Sequence, residues 1–165
     1  MAAVQKEFHN ISSFLGVSCG KITQDGSVPV LKGKAKGYTT ILKHLTRQSK
    51  NTSLFGKNSE DQAAIDQWLE YRVVSLDRCS TEKDVHNRLN ELNSYLKDKV
   101  YFVGNDLSLA DISIFQALYN ILSGMTFYER EKVLHLSRWY NHLQHCEELR
   151  QNLSVLIFSK TLLYY

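Results

Sequence analysis

Three groups of residues in this 165-residue chain have side chains of the kind that chemistry uses. His142, His145 and Cys146 stand three or four apart, so on one helix face two imidazoles and a thiol could converge on a metal ion. Zinc would need a fourth ligand or a water as well. No residue nearby supplies one, and elemental analysis is expected to find no metal. Ser12, Ser13, Ser18 and Cys19 are nucleophiles by type, but each falls at a helix end or in a loop without a base beside it. The run Lys32-Gly-Lys-Ala-Lys-Gly37 resembles a phosphate loop only loosely, because it is not GxxxxGK[ST]. It reads as a solvated, basic hairpin tip. Lys32, Lys34 and Lys36 are the best case for RNA contact, yet three phosphate contacts give weak, strongly salt-dependent binding. Direct tRNA recognition is therefore not expected.

Composition narrows the function classes. Hydrophobic content of 43% and charged content of 22% are those of a globular chain, which argues against disorder. A net charge of +3 falls short of the clustered basic face of nucleic-acid binders. Cys19, Cys79 and Cys146 are odd in number and lack CxxC spacing, which points to a reducing compartment. The first residues contain no apolar run of signal-peptide type. The longest uncharged run, Ile112 to Tyr128, is interrupted by Gln116, Asn120 and Gly124 and is too polar to span a bilayer. The expectation is a cytoplasmic protein with no membrane partner and no cofactor.

The element around which the chain is organised begins at Leu107-Ser-Leu-Ala-Asp-Ile112. Ser108 suits a helix N-cap and Asp111 the third helical position, so that each can bond the other's backbone. Leu107 and Ile112 are placed as a hydrophobic staple. The apolar residues that follow fall on nearly every side, as in a helix surrounded by others. Asp111 could serve as an acid, but its place in the cap makes it structural.

Before it, Val4, Phe8, Ile11 and Leu15 predict a helix over Ala2 to Leu15, ended by Gly16. Strands are expected at Cys19 to Thr23 and Val28 to Leu31 around the turn Gln24-Asp-Gly-Ser27. Pro29, the chain's only proline, is either an ordinary trans edge proline or a cis bend. Thr39 to Gln48 reads as a helix with Ile41, Leu42 and Leu45 inward. The polar stretch 49–58 reads as a linker between units 1–48 and 59–165. Ser59 with Gln62, Thr81 with Asp84, Thr126 with Glu129 and Ser137 are further predicted helix starts. Among Trp68, Tyr71, Trp139 and Tyr140, only Tyr140 is expected at the surface. The fold class is α+β, mostly helical: a small α/β unit followed by an all-α bundle.

Several motifs carry a resemblance. Val28-Pro-Val-Leu31 resembles the cis-proline strand of the glutathione-transferase fold. Ser108-Leu-Ala-Asp111 resembles the capping box of its buried sixth helix, and Ser137-Arg-Trp-Tyr140 the segment that follows. Trp68-Leu-Glu-Tyr-Arg72, Leu92-Asn-Ser-Tyr-Leu96, Asp98-Lys-Val-Tyr101 and His142-Leu-Gln-His145 resemble, more closely, the small auxiliary scaffold family of the multi-aminoacyl-tRNA-synthetase complex. The resemblance implies a reduced thioredoxin-like unit with Pro29 cis. In transferases a hydroxyl or thiol donor follows a first strand that has no room here. A Glu/Gln-Ser pair that grips a carboxylate is replaced by Gly37-Tyr38. The resemblance thus implies a non-catalytic scaffold. The rival readings are a glutathione-dependent transferase and an accessory tRNA-binding module.

As partners the resemblance implies transferase-like domains of methionyl-tRNA synthetase and glutamyl-prolyl-tRNA synthetase, other members of the same complex, and, with nuclear appearances, DNA-damage kinases. Two faces are implied. One draws on Tyr38, Thr39, Leu42 and Lys43 with Gln67, Tyr71 and Ser75. The other surrounds Arg138, with Tyr140, Asn141 and Gln144. Arg138 could instead be held within its own domain.

Overall fold

The computed structural model describes residues 2–158. Helix α1 runs from Ala2 to Leu15 and stops at Gly16, whose φ of +64° suits glycine. A three-stranded antiparallel sheet follows, in the order β1 (Ile22–Asp25), β2 (Val28–Leu31), β3 (Ala35–Lys36). The β1–β2 hairpin turns on Gly26, at φ +63°, and Ser27. The strand β3 lies in what the sequence presents as a turn; two residues are too few to leave a period. Helix α2 (Tyr38–Gln48) packs back on the sheet.

Pro29 corrects the expectation of a cis bond: every peptide bond among the described residues is trans. It also lies in the central strand of the three. It faces Gln24 across the ladder, and its carbonyl accepts from Gly37 N–H at 2.8 Å. Its missing donor is directed past the end of the two-residue β3, so an extended trans proline leaves no ladder bond unmade.

Residues 49–58 are more than a linker, because a 3-10 turn at Thr52–Phe55 buries Leu54. The cap of helix α3 (Ser59–Tyr71) falls one residue earlier than predicted: Asn58, not Ser59, accepts from Asp61 N–H at 2.7 Å. A π turn, Arg72–Leu76, extends α3. Then come α4 (Glu82–Tyr95), capped by Thr81, α5 (Leu109–Gly124), α6 (Phe127–Lys132), capped by Thr126, α7 (Leu134–Gln144) and the single turn α8 (Glu147–Arg150).

Ser137 does not start a helix. It sits inside α7 and donates to the Arg130 carbonyl at 2.8 Å. The α7 N-terminus is capped from another element: Asn93 Oδ1, on α4, accepts from His135 and Leu136 N–H at 2.8 and 3.1 Å. Only tertiary packing could supply that acceptor.

Helix α5 is the axis of the bundle. The capping box of Ser108 and Asp111 forms as expected, and Ile112 and Leu109 are buried while Leu107 packs partly against the core. Asp111 is 0% exposed and serves more than its cap. Its carboxylate accepts from Ser108 N–H, Ser108 Oγ, Phe102 N–H and Trp139 Nε1, at 3.1, 2.7, 2.9 and 3.0 Å. Burial pushes this carboxyl above its usual range, and the four donors oppose that shift. Trp139, Phe102, Trp68 and Tyr95 continue the cluster as edge-to-face and stacked rings.

Asp111→Ala strands two backbone donors and an indole in the core. At about 1–3 kcal/mol for each unsatisfied group, the loss exceeds an ordinary cap deletion and reaches roughly 3–5 kcal/mol. Urea unfolding should show it, with Asp111→Asn recovering part of the loss.

Candidate docking faces

At the centre of the molecule, where α1, α2, the π turn and α5 meet, a buried polar cluster stands. Arg72 is 4% exposed because it continues the inward stripe of Leu69 and Ile65, three and seven residues before it. Its Nη2 donates to Glu7 Oε2 at 2.7 Å, and its Cζ lies 3.6 Å from the centroid of the Tyr38 ring, a close cation–π stack. Tyr38 Oη donates to Glu7 Oε1 at 2.7 Å and accepts from Ser113 Oγ at 3.3 Å. Asp77 lies 3.3 Å from Arg72 Nε. Burial pushes the Glu7 carboxyl up, opposed by the guanidinium, and does the same to Asp77.

This arrangement removes Tyr38 and Leu42 from the first predicted face. Both are buried, Tyr38 by its bond to Glu7 and Leu42 by core packing, so neither can meet a partner. Ser75 is half-buried, with its carbonyl accepting from the Cys79 thiol. Tyr71 is half-buried and turned toward α4, donating to Glu91 at 2.9 Å. Thr39 is half-buried and Gln67 exposed. Lys43 pairs with Asp66 across α2 and α3 at 2.6 Å. They line a groove of about 440 Å³ with Arg47, Phe55, Gln62 and Ile65, and Arg47 lies over the Phe55 ring at 5.9 Å. Sequence reading missed Arg47, Phe55 and Asp66; their spacing carries no signal until the 3-10 turn brings Phe55 beside α2.

On the second face, Tyr140 and Gln144 are each 1% exposed. Tyr140 stacks on Phe115 at 4.5 Å, and Gln144 is occupied with the backbone of Leu156, so the expectation of an exposed Tyr140 is overturned. Their helix face is the inward one, a distinction that needs the neighbours' positions. Asn141 is half-buried, accepting from Gln144 Nε2 at 2.8 Å. Arg138 is exposed on one side, yet its Nη2 donates to the carbonyls of Leu96 and Lys99 at 2.8 and 2.7 Å. It closes the C-terminus of α4 as Asn93 of α4 closes the N-terminus of α7. Leu134, one turn before Arg138, is 63% exposed, and Tyr128 of α6 is exposed too.

Of the candidate nucleophiles, Ser12 and Cys19 meet, the Ser12 hydroxyl lying against the Cys19 thiol. Ser12 is buried and donates to the His9 carbonyl, and burial pushes the Cys19 thiol up, against thiolate formation. Tyr101 Oη lies 3.2 Å from His142 Nε2, and His145 Nδ1 lies 2.6 Å from the Asn141 carbonyl. Among the described residues no three His, Cys, Asp or Glu side chains gather as a metal site, and no helix is long and apolar enough to cross a membrane.

Two substitutions test these assignments. Arg138→Ala gives up two charge-assisted bonds to carbonyls and should cost about 1–3 kcal/mol in denaturant unfolding, a loss that any binding assay with this variant must allow for. Arg72→Met leaves Glu7 buried without a counter-charge and should cost about 3–5 kcal/mol, with Arg72→Met/Glu7→Gln recovering much of it.

Residues 61–147 match the model of a protein family described as nuclear-export cofactor Arc1p. The chain is 40% identical to human eukaryotic translation elongation factor 1 epsilon-1, over 98% of this chain and 97% of that protein. It is 33% identical to the bifunctional glutamate/proline–tRNA ligase of Cricetulus griseus, over 64% of this chain and 7% of that protein. In architecture it resembles the theta class glutathione S-transferase of Xanthomonas axonopodis pv. citri, with a TM-score of 0.70 at 14% identity over 95% of this chain and 94% of that one. On this glutathione-transferase-like fold, the chain belongs to the eukaryotic translation elongation factor 1 epsilon-1 family.

Proposed function

We propose that this protein is a non-catalytic scaffold that binds transferase-like domains of the glutamyl-prolyl and methionyl tRNA synthetases and thereby helps to assemble the multi-synthetase complex for translation. One observation carries the reading: about two thirds of the chain is homologous to a 7% portion of a bifunctional glutamate/proline–tRNA ligase. A domain that recurs both inside a synthetase and as this small chain is suited to pair with its own kind, because related copies offer related faces. The units 1–48 and 59–165, joined by 49–58, act together in this reading, tied by Glu7, Tyr38, Arg72 and Ser113. A nuclear pool that meets DNA-damage kinases is part of the proposal, supported by family resemblance.

In this reading the two faces are redrawn from the residues that stand exposed. The first is the α2–α3 groove lined by Lys43, Arg47 and Asp66, with Thr39 and Gln67 on the same two helices. The second is the outer side of α6 and early α7, where Tyr128, Leu134 and Arg138 stand exposed. A large apolar side chain beside a guanidinium is the composition of an interface anchor.

Purified transferase-like segments of the two synthetases, titrated separately, test this. Leu134→Glu and Arg47→Glu, both exposed positions, should each weaken one partner roughly tenfold or more and leave the other unchanged. Equal loss of both, or of neither, rejects the two-face arrangement. Turnover of glutathione with a general electrophile, well above that of a Cys19→Ala control, rejects the non-catalytic part.

A further inference from the structure

The chain's surplus charge is gathered in one place. Residues 20–37 hold Lys21, Lys32, Lys34 and Lys36 against the single carboxylate of Asp25, a surplus equal to the whole chain's net charge of +3, so the remaining basic and acidic side chains balance. Lys36 is paired with Asp25 at 2.7 Å. Lys21, Lys32 and Lys34 are exposed, and among the described residues no carboxylate stands in ion-pair reach of any of them.

The sheet holds these three lysines at one end. Ile22 and Leu31 face each other in the β1–β2 ladder and are both buried, and Lys32 N–H donates to the Lys21 carbonyl at 3.3 Å, so Lys21 and Lys32 form the next pair and stand on the opposite, solvent side. Lys34 follows in the β2–β3 turn, which its own N–H closes on the Leu31 carbonyl at 2.9 Å. Like charges directly opposite one another, with Cβ atoms about 5 Å apart, destabilise a ladder. The same hairpin neutralises Lys36 yet leaves this repulsion unrelieved, and a local conflict of that kind marks a surface shaped by something other than folding.

We propose that this corner docks an acidic segment of a protein partner, one carrying several closely spaced Asp or Glu side chains. Three separate positive charges match a run of carboxylates better than they match one small anion. Residues 20–37 contain no Phe, Tyr or Trp on which a nucleic-acid base could stack, and the exposed neighbours Gly20, Thr23 and Gly33 offer no apolar wedge to a lipid surface. None of the three lysines lies on α2, α3, α6 or α7, so this surface is separate from the two faces proposed for the synthetases. The ladder and the Gln5 side chain, which donates to the Ile22 carbonyl at 3.0 Å, fix the backbone that carries the charges. A preformed charged corner costs less to order on binding, and its field speeds encounter with an acidic partner.

Titration of the full chain with a hexaglutamate peptide, followed by amide NMR, tests this. Saturable shifts should centre on Lys21, Lys32, Gly33 and Lys34, and the affinity should fall about tenfold between about 50 and 200 mM salt. Lys21→Gln/Lys32→Gln/Lys34→Gln should weaken binding roughly tenfold or more. Lys83→Gln/Lys97→Gln/Lys132→Gln, at exposed positions elsewhere and with the same loss of charge, should bind as the parent does. Equal loss in both variants reduces the effect to net charge, and shifts spread evenly over the chain's lysines leave the corner without a role. Tighter binding of a six-nucleotide RNA, or of vesicles containing phosphatidylserine, gives the corner to nucleic acid or to a membrane. Each of these results overturns the proposal.

Discussion

The rest of the bundle depends on one buried carboxylate. Asp111 lies at the positive end of α5 and takes hydrogen bonds from the cap residue, from the Phe102 backbone in the preceding loop and from the Trp139 indole on α7. A charge taken out of water is costly unless its lone pairs are satisfied, and here four donors satisfy them. That requirement fixes the α4–α5 loop, the entry of α5 and the rotation of α7 together. The aromatic cluster of Trp68, Tyr95, Phe102 and Trp139 then has one way to pack.

A second buried charge joins the α1–sheet unit to the bundle. Arg72 stacks on Tyr38 and holds Glu7, so the phenol and carboxylate that the small unit contributes face inward and are occupied. Ordinary helical spacing makes this geometry: Ile65, Leu69 and Arg72 stand at i, i+4 and i+7, so Arg72 continues the buried face of α3 just where the π turn begins. A hydroxyl engaged with a carboxylate and a thiol kept protonated by burial are poor starting points for activating a peptide thiol. The interior has been given to cohesion, and the features that remain outward are apolar side chains and charged rims.

Helices α4 and α7 show how the bundle completes its own ends. Asn93 caps α7, and Arg138 covers the carbonyls that close α4. Each helix thus supplies the polar group its neighbour lacks, which ties their axial positions together. Arg138 does this while one side of it stays at the surface, so the docking part proposed for it would fall to a side chain that already has a structural one.

The sequence by itself determined whatever depends on near neighbours along the chain: α1 from its spacing of four, three and four, its stop at Gly16, the β2 strand, the capping boxes at Ser108 and Thr126, and the mostly helical class. Such features have both partners within four residues, so spacing records them. Tertiary structure alone decided which polar residues face inward. Tyr38, Tyr140 and Gln144 carry groups that read as surface, and they are buried because Glu7, Phe115 and Leu156, distant in sequence or set by another element, meet them there. It also decided that Ser137 lies inside α7 and that Pro29 stays trans within a central strand, because the acceptor from Asn93 and the short reach of β3 are facts of packing that no local pattern contains.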